Sequence, residues 1–309
     1  MESGHLSEEK IPVVYILSTG RSGSTLLDLL LGSSEKTWTL GEAQILPWEL
    51  RENRQPCGCG VKVEKCDFWR SVLPNIPIGE GTYPIEHFRE THTSAKAFRW
   101  HILSSLLFNH RDENLRKAAQ EYGDLNAKYF SEVRAEVESR TNREIRWLVD
   151  ASKDPYRLLW LDASNRFDLR VVFLTKCPQA YAYSRIKNSN TARLKMISHA
   201  TVSWTLINAL MYFVCRQRFQ SRFIHLHYRD LAANPDAHRS WFQKWLDTPF
   251  PTWHPTVIRE YGNHGIAGNQ MRWRNDPIRL DEVWTHQLTS LEKGLARGLS
   301  PPLAGVLGY

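Results

Sequence analysis

The stretch that most constrains the fold lies near the amino end, where residues 11–32 read IPVVYILSTGRSGSTLLDLLLG. The almost wholly apolar, β-rich run from Ile11 to Ser18 is typical of a central strand in a parallel sheet that is covered on both faces. The run TLLDLLL that follows has apolar residues at helical spacing, and Gly32 is placed to end that helix. The sequence therefore predicts a strand, a glycine loop and a helix in succession.

Three further segments predict strands of the same sheet: residues 145–152 (IRWLVDAS), 169–178 (LRVVFLTKCP) and, with more alternation, 222–231 (RFIHLHYRDL). Helical patterns separate them, as in YRLLWLDAS, AYAYSRIKN and ISHATVSWTLINALMYFVCRQRFQ. An alternating order of strands and helices is typical of an α/β fold. We predict a P-loop-type, doubly wound parallel sheet flanked by helices.

Two regions depart from this alternation. Residues from about 80 to 143 are charged and largely helical in pattern, which predicts a helical insertion. Residues from about 250 to 309 are rich in Pro, Gly, Trp and Arg without clear periodicity, which predicts an irregular closing segment. We expect the 309 residues to form one domain around one sheet.

The formal net charge of +7 favours an anionic partner, and nucleic acid, an acidic membrane and a phosphorylated small molecule all qualify. The basic residues are dispersed and no aromatic signature of a nucleic-acid module occurs, so we expect no nucleic-acid partner. No apolar run reaches the length of a membrane span, and no secretory leader pattern opens the chain, so we expect no membrane partner. The odd count of five cysteines argues against a secreted disulfide framework and favours the cytoplasm. Nothing in the sequence indicates an oligomeric state.

The glycine loop has the composition of an anion site, since backbone N–H groups at a helix amino end converge on one point where the helix dipole favours negative charge. The alternative is an ordinary turn in which Ser24 or Thr25 caps the helix. A nucleotide kinase or GTPase would need four residues between the glycines and a lysine after the second. Here Gly20 and Gly23 are separated by Arg21 and Ser22 only, so the Walker pattern fails. Arg21 can donate forked hydrogen bonds to a tetrahedral anion.

Arg21-Ser22-Gly23-Ser24-Thr25 after a buried strand resembles the first signature of the sulfotransferases that use 3′-phosphoadenosine 5′-phosphosulfate (PAPS), and is most similar to the carbohydrate, tyrosylprotein and bacterial branches. The resemblance continues along most of the chain, in LGEAQILP (40–47), DASKDPYRL (150–158), LRVVFLTKCPQAYAYS (169–184), HYRDLAANP (227–235) and HGIAGNQMRWR (264–274). One departure is Lys176-Cys177-Pro178-Gln179, where the family usually has Arg-Asp-Pro-Arg. Lys176 keeps a positive charge there but lacks the bidentate fork of arginine.

The resemblance implies a site for PAPS, with adenosine 3′,5′-bisphosphate (PAP) as the product and no metal requirement. By residue, it implies that Gly20, Arg21, Ser22, Gly23, Ser24 and Thr25 cradle the 5′-phosphosulfate, that Lys176 and Ser184 hold the 3′-phosphate, that Tyr228 lies near the adenine, and that Gly268, Asn269 and Arg272 close over the nucleotide. Taken without the family pattern, Tyr228 and Ser184 are better explained by packing or capping.

Sulfuryl transfer to a hydroxyl or amine of a small-molecule acceptor is an in-line displacement, in which positioned cations stabilise the charge that develops. Arg21 and Lys153 are the candidate cations, although Lys153 alone would pass for a surface lysine. The acceptor must lose a proton as it attacks, so a base must lie within hydrogen-bond reach. Glu42 is the candidate, and a structural role for it is as plausible. His264 and His92 are the alternatives.

The cluster PCGCGVKVEKC places Cys57, Cys59 and Cys66 close together. Three cysteines suit a metal site, but a structural zinc site normally has four ligands and no fourth is obvious nearby in the sequence. We interpret the cluster as a structural loop near the acceptor site and leave a disulfide or a metal open.

A second class of function is a nucleotide-dependent small-molecule kinase with a non-standard phosphate loop. A strand that ends in Asp150 and the basic charge suit phosphoryl transfer as well as sulfuryl transfer. The two classes differ in their requirement for magnesium and ATP.

Overall fold

The structure is a computed structural model that describes residues 9–52, 54–77, 103–104, 107, 113–187, 192–253, 263–273 and 277–309. Its centre is a parallel sheet of five strands in the order β2-β3-β1-β4-β5. The strands are β1 (Ile11–Ser18), β2 (Thr37–Gly41), β3 (Trp147–Asp150), β4 (Phe167–Thr175) and β5 (Phe223–His227).

The central strand β1 is covered on both faces, as its apolar composition predicts. Val13, Tyr15 and Leu17 point into one core, whereas Val14 and Ile16 point into a second core on the opposite face. All five side chains are fully buried. Because successive side chains of a strand alternate between faces, only a sheet with helices on both sides buries all of them.

The helices lie on the two faces of the sheet. In chain order, those of the described residues are α1 (Ser24–Leu31), α2 (Leu46–Glu52), α3 (Asp67–Val72), α4 (Glu113–Thr141), α5 (Pro155–Ala163), α6 (Pro178–Ile186), α7 (Arg193–Val214), α8 (Tyr228–Ala233), α9 (Pro235–Leu246), α10 (Trp284–Gln287), α11 (Ser290–Gly298) and α12 (Leu303–Val306). Helix α1 packs in the same core as Val14 and Ile16, and α5 in the core of the other face. The predicted fold class is confirmed.

Three expectations are corrected. Strand β2 has no counterpart among the predicted strands. The fourth predicted strand, 222–231, ends at His227, because Tyr228 begins α8. The closing segment is not irregular throughout, since it contains α11, which begins with a capping box between Thr289 and Glu292.

The helical insertion is represented by α4, whose Tyr129, Phe130 and Val133 are buried in the core. Much of the region from 80 to 112, including the alternative base His92, lies outside the described residues. Among the helices that the structure describes, none is long and apolar enough to cross a membrane.

Candidate active site

The residues singled out by the sequence meet at the carboxyl edge of the sheet, where each strand leads into one of them. The loop 20–25 follows β1, Glu42 follows β2, Lys153 follows β3, Lys176 follows β4 and Tyr228 follows β5. The carboxyl ends of parallel strands lie at one edge, and open α/β sheets bind ligands there, where the chain order reverses across the sheet. In this sheet the reversal occurs at β1, directly before the glycine loop.

The glycine loop is shaped by a close approach of Tyr228. Gly23 has a φ of 89° and is the N-cap residue of α1, and a Cβ atom there would lie 2.3 Å from Cδ2 of Tyr228. Only glycine fits both the backbone conformation and the space. No side chain caps α1, so Ser24 and Thr25 do not act as the capping residues of an ordinary turn. The buried hydroxyls of Thr19 and Ser22 are hydrogen bonded to each other at 2.6 Å.

Both candidate catalytic cations occupy strained backbone positions. Arg21 has a φ of 73° and Lys153 a φ of 66°, in the left-handed region that side-chain-bearing residues rarely adopt. Such a conformation costs on the order of 1 kcal/mol and persists where the surroundings or the function require it. Two long cations held in this way, at the ends of neighbouring strands, indicate a functional site.

Glu42 and Lys153 form an ion pair between Oε1 and Nζ, and both side chains are about four-fifths buried, with 22% and 18% exposed. The backbone of the Glu42 segment is fixed by Ile266, whose carbonyl accepts a 2.7 Å hydrogen bond from the Glu42 amide. A Cβ atom on Gly41 would lie 2.3 Å from the carbonyl oxygen of Ile266. A glycine before Glu42 is therefore required by this contact, which directs the carboxylate of Glu42 towards Lys153.

Asp150, which ends β3, is not free to bind a metal ion. Its Oδ2 accepts hydrogen bonds from Nε and Nη2 of Arg157 at 3.0 and 2.8 Å, and its Oδ1 accepts one from the Ser152 amide at 2.9 Å. Asp150 is completely buried. A carboxylate used in this way supports the turn that carries Lys153, and it does not favour the magnesium-dependent kinase alternative.

The other end of the site is formed by Lys176 and Tyr228. The Lys176 ammonium lies 4.6 Å from the centre of the Tyr228 ring, and burial lowers the pKa of Lys176. A bound anion would offset this desolvation of the ammonium group. Ser184, on α6, donates a 2.6 Å hydrogen bond to the carbonyl of Tyr181 and lines the same cleft.

The closing segment meets the glycine loop through Asn269, whose amide donates a 3.1 Å hydrogen bond to Oγ1 of Thr25. Gly268, with a φ of 113°, also borders the cleft. Arg272 differs from these two, because its buried guanidinium donates to the carbonyls of Pro56 (2.7 Å), Gly265 (3.2 Å) and Ala267. In this arrangement Arg272 holds the closing segment from beneath the cleft, and its role towards a nucleotide stays a prediction.

These residues surround one cleft of about 1370 Å³. Of the residues singled out, Ser22 and Arg272 do not line it. Among the described residues, seven cationic side chains line the cleft against two acidic ones, Glu42 and Asp281; the cations are Arg21, Arg54, Lys153, Lys176, Arg185, Lys187 and Arg279. Sequence reasoning missed Arg54, Arg185, Lys187 and Arg279, because nothing in their local sequence distinguishes them from surface cations. The arrangement can bind a multiply charged anion.

The alternative base His264 is turned away from this chemistry. Its ring is stacked on Phe68 at 4.7 Å, and its Nδ1 lies 3.2 Å from Sγ of Cys66. It does not line the cleft that Glu42 lines. Among the described residues, Glu42 is therefore the better candidate for the base.

Asp28 is a second titratable group that sequence reasoning missed. It lies on α1 beneath the glycine loop, accepts a hydrogen bond from Oγ1 of Thr39, and lines a small cavity together with Glu42 and Lys153. Burial raises the pKa of Asp28 from 3.8 to about 7. Its place in a leucine-rich helix gave no signal, because the cause of the shift is the packing of α1 against β2.

We expect Asp28→Asn to stabilise the protein at alkaline pH. Between pH 3.8 and about 7 the Asp28 carboxyl is protonated in the folded state and ionised in the unfolded state. The wild-type free energy of unfolding therefore falls as the pH rises across that window. Above pH 7 the loss in free energy of unfolding reaches at most roughly 4 kcal/mol, at 1.36 kcal/mol per unit of the pKa difference. Asparagine does not titrate and keeps an oxygen for Thr39. Thermal unfolding from pH 4 to 9 measures the gap, with the exposed Asp168→Asn as control. If Asp28→Asn and the wild type lose stability in parallel as the pH rises, the pKa of Asp28 is not raised.

The parallel sheet, the glycine loop at its reversal point and the cationic cleft define an α/β protein whose cleft is suited to a phosphorylated or sulfated anion. The chain belongs to the sulfotransferase family, whose sequence profile matches residues 12–252. This confirms the family predicted from the motifs and indicates that the protein is a transferase of sulfuryl groups. A comparison with curated protein sequences finds no match.

Solved structures of sulfotransferases match this chain, and the likeness in fold rests on the first of them. The sulfotransferase domain from the curacin biosynthetic pathway is 16% identical with a TM-score of 0.50, over 94% of this chain and 99% of that chain. The sulfotransferase domain of the Synechococcus PCC 7002 olefin synthase is 18% identical with a TM-score of 0.48, over 98% and 97%. Sulfotransferase STF1 from Mycobacterium tuberculosis H37Rv is 15% identical with a TM-score of 0.44, over 94% and 77%. At these identities the likeness concerns the fold alone.

Proposed function

We propose that the protein transfers the sulfuryl group of PAPS to a hydroxyl, or an amine, of a small-molecule acceptor by in-line displacement, with no metal ion taking part. The observation that carries this proposal is the charge of the cleft, which is lined by seven cationic and two acidic side chains among the residues that the structure describes. A cleft of one charge sign with low-dielectric walls concentrates anions of the opposite sign. Its volume of about 1370 Å³ exceeds the roughly 300–1,000 Å³ of most single-ligand pockets, which suits a nucleotide and an acceptor together.

The two anionic ends of PAPS fit two groups of residues. The glycine-loop amides with Arg21 and Lys153 suit the 5′-phosphosulfate, because amides at the amino end of α1 and two cations favour negative charge there. Lys176 and Ser184 suit the 3′-phosphate. Gly268 and Asn269 would border the nucleotide on the side of the closing segment.

Two nearby cations compensate for the arginines that the family usually has after β4 and that this chain lacks. Arg185 and Lys187 lie at the end of α6, are exposed, and line the cleft beside Ser184. We assign them to the 3′-phosphate, together with Lys176. Arginine supplies a forked donor that Lys176 lacks, so Arg185 is expected to contribute the larger share.

The roles of the residues in the reaction follow from their charge and position. PAPS supplies the sulfuryl group and a bisphosphate leaving group. Arg21 and Lys153 stabilise the negative charge on the equatorial oxygens and on the bridging oxygen, and Lys153 is already held in place by its ion pair with Glu42. Glu42 accepts the proton that the attacking hydroxyl loses. The ion pair with Lys153 holds the Glu42 carboxylate at the site where both groups act.

We expect PAP to bind tightly without magnesium, and ATP with magnesium to bind weakly. At one hundred times its dissociation constant, PAP should stabilise the protein by about 2.7 kcal/mol, which corresponds to a rise of roughly 5 °C in the melting temperature. Thermal-shift titrations with PAP, 5′-AMP and ATP, each with magnesium or with EDTA, measure this. A magnesium-dependent preference for ATP would support the kinase alternative and overturn the proposal.

The same assay separates the two anionic ends of the nucleotide. Arg185→Ala and Lys187→Ala should weaken the binding of PAP and leave the binding of 5′-AMP unchanged, since 5′-AMP has no 3′-phosphate. The exposed Arg216→Ala, outside the cleft, controls for the change in net charge. If the binding of PAP and of 5′-AMP is weakened equally, Arg185 and Lys187 do not contact the 3′-phosphate. Transfer of labelled sulfate from PAPS into a metabolite extract then identifies the acceptor.

We also propose that the chain is one catalytic domain and that it works in the cytoplasm. The single sheet, whose five strands each lead into a residue of the proposed site, supports the first statement. The second is supported by the five cysteines, all of which are free thiols.

A further inference from the structure

The cysteine loop, residues 57–66 between α2 and α3, is folded into a tight turn. The amide of Cys57 donates a 2.7 Å hydrogen bond to the carbonyl of Val61, and the amide of Gly60 donates a 2.8 Å bond to the carbonyl of Cys57. Gly60 has a φ of 94°, which the turn requires. The turn brings Cys59 back towards Cys66, which is the N-cap residue of α3, so that their sulfurs are 3.6 Å apart.

A fourth ligand reaches the loop from the closing segment, 198 residues after Cys66. Nδ1 of His264 lies 3.2 Å from Sγ of Cys66 and 3.6 Å from Sγ of Cys57. Its ring is stacked on Phe68 with an angle of 9° between the planes, and its carbonyl accepts a 2.9 Å hydrogen bond from Nε1 of Trp69. The stacking fixes the plane of the ring and the hydrogen bond fixes its backbone, so its Nδ1 is held beside the thiols.

The distances fit a tetrahedral ion. Bonds of about 2.3 Å from zinc to sulfur and about 2.0 Å to nitrogen place two ligand sulfurs about 3.8 Å apart, and a sulfur and a nitrogen about 3.5 Å apart. The ligand atoms of Cys57, Cys59, Cys66 and His264 all lie within 4.8 Å of one another, and the sulfur-nitrogen distances are 3.2 and 3.6 Å. A disulfide would need a separation of about 2.05 Å.

We propose that Cys57, Cys59, Cys66 and His264 bind one zinc ion in a closed, structural site. Three thiolates and an imidazole in tetrahedral arrangement select zinc among the common cellular metals. Because the protein supplies four ligands, no position is left for a substrate, so the ion does not take part in sulfuryl transfer. This inference does not depend on the proposed function, since metal binding is measured without any nucleotide.

The position of the site gives the ion a role in holding the active cleft together. The amide of Gly58 donates a 3.0 Å hydrogen bond to the carbonyl of Gly265, and Ile266 then packs against Gly41, beside Glu42. The guanidinium of Arg272 donates a hydrogen bond to the carbonyl of Pro56, directly before Cys57. A bond from His264 to zinc would tie the closing segment to the cysteine loop at the start of this series of contacts.

The test measures the metal content of the full chain, purified from a zinc-supplemented culture without chelators. We expect one equivalent of zinc per chain, as for other structural sites. Cys59→Ser removes the one exposed ligand of the four and should weaken zinc binding by about 100-fold or more in competition with a chromogenic chelator. Cys215→Ala, a buried thiol outside the cluster, should retain zinc as the wild type does.

Cobalt substitution of the wild-type chain keeps the proposal testable if Cys59→Ser does not fold. The cobalt protein should show the visible bands of tetrahedral cobalt and a thiolate charge-transfer band of the intensity given by three sulfur ligands. Three results would overturn the proposal: a wild-type chain that neither carries zinc nor binds added zinc, a cobalt spectrum without thiolate bands, or a disulfide within the cluster in protein purified under anaerobic conditions.

Discussion

Replacing Arg21 by alanine is expected to lower the turnover number for sulfuryl transfer by about 10³-fold, the effect of removing one oriented donor from a developing charge. The affinity for PAP should fall less, because the charge on the transferred group is largest in the transition state. Initial rates of labelled-sulfate transfer to the acceptor found in the extract assay, with PAP affinities from thermal shift, separate the two effects.

The backbone of Arg21 allows a second, matched substitution. With a φ of 73°, Arg21 is strained, and glycine relieves that strain whereas alanine does not. Arg21→Gly should therefore be more stable than Arg21→Ala by about 1 kcal/mol, yet equally inactive. Arg21→Lys should retain part of the activity, since it keeps the charge without the fork. A loss of less than tenfold in Arg21→Ala would contradict the role of the guanidinium, and recovery of activity in Arg21→Gly would assign the effect to the backbone.

The fold class followed from the sequence because its central features are local. The apolar run Ile11–Ser18 and the glycine loop need no distant partner to be recognised. Strand β2 was missed because Thr37–Gly41 has only five residues, too few for the alternation of Thr with Trp and Leu to stand out. Helix α11 was missed although Thr289-Ser290-Leu291-Glu292 has the spacing of a capping box, the signal that predicts its start.

The site was predictable only as far as motifs extend. The motifs LGEAQILP (40–47) and DASKDPYRL (150–158) indicated Glu42 and Lys153 separately. Their ion pair depends on two strand ends that lie side by side in the sheet. The approach of His264 to the cysteines joins residues 198 positions apart, and no spacing rule reaches that far. Asp28 has an ordinary helical setting in sequence, and its raised pKa comes from burial.

Glu42→Gln is expected to slow transfer by roughly 10²- to 10⁴-fold with an alcohol acceptor, and by less with an acidic phenol of similar shape. A weakly acidic hydroxyl depends on a base to lose its proton during attack, whereas a phenol depends on it less. Rates for the two acceptors, measured at saturating PAPS, give the difference. Glu35→Gln changes an exposed carboxylate near β2 and serves as the control. Equal losses with both acceptors would remove Glu42 as the base.

The ion pair with Lys153 offers a different explanation for such a loss, namely that Glu42 acts only by orienting the ammonium group. A double-mutant cycle separates the two explanations. If Glu42 only positions Lys153, then Glu42→Gln has no further effect once Lys153 is alanine. If Glu42 is the base, the double variant loses activity beyond Lys153→Ala, and the additional loss is again larger for the alcohol than for the phenol. The second result is expected, because the Glu42 carboxylate lines the cleft itself as well as contacting Lys153.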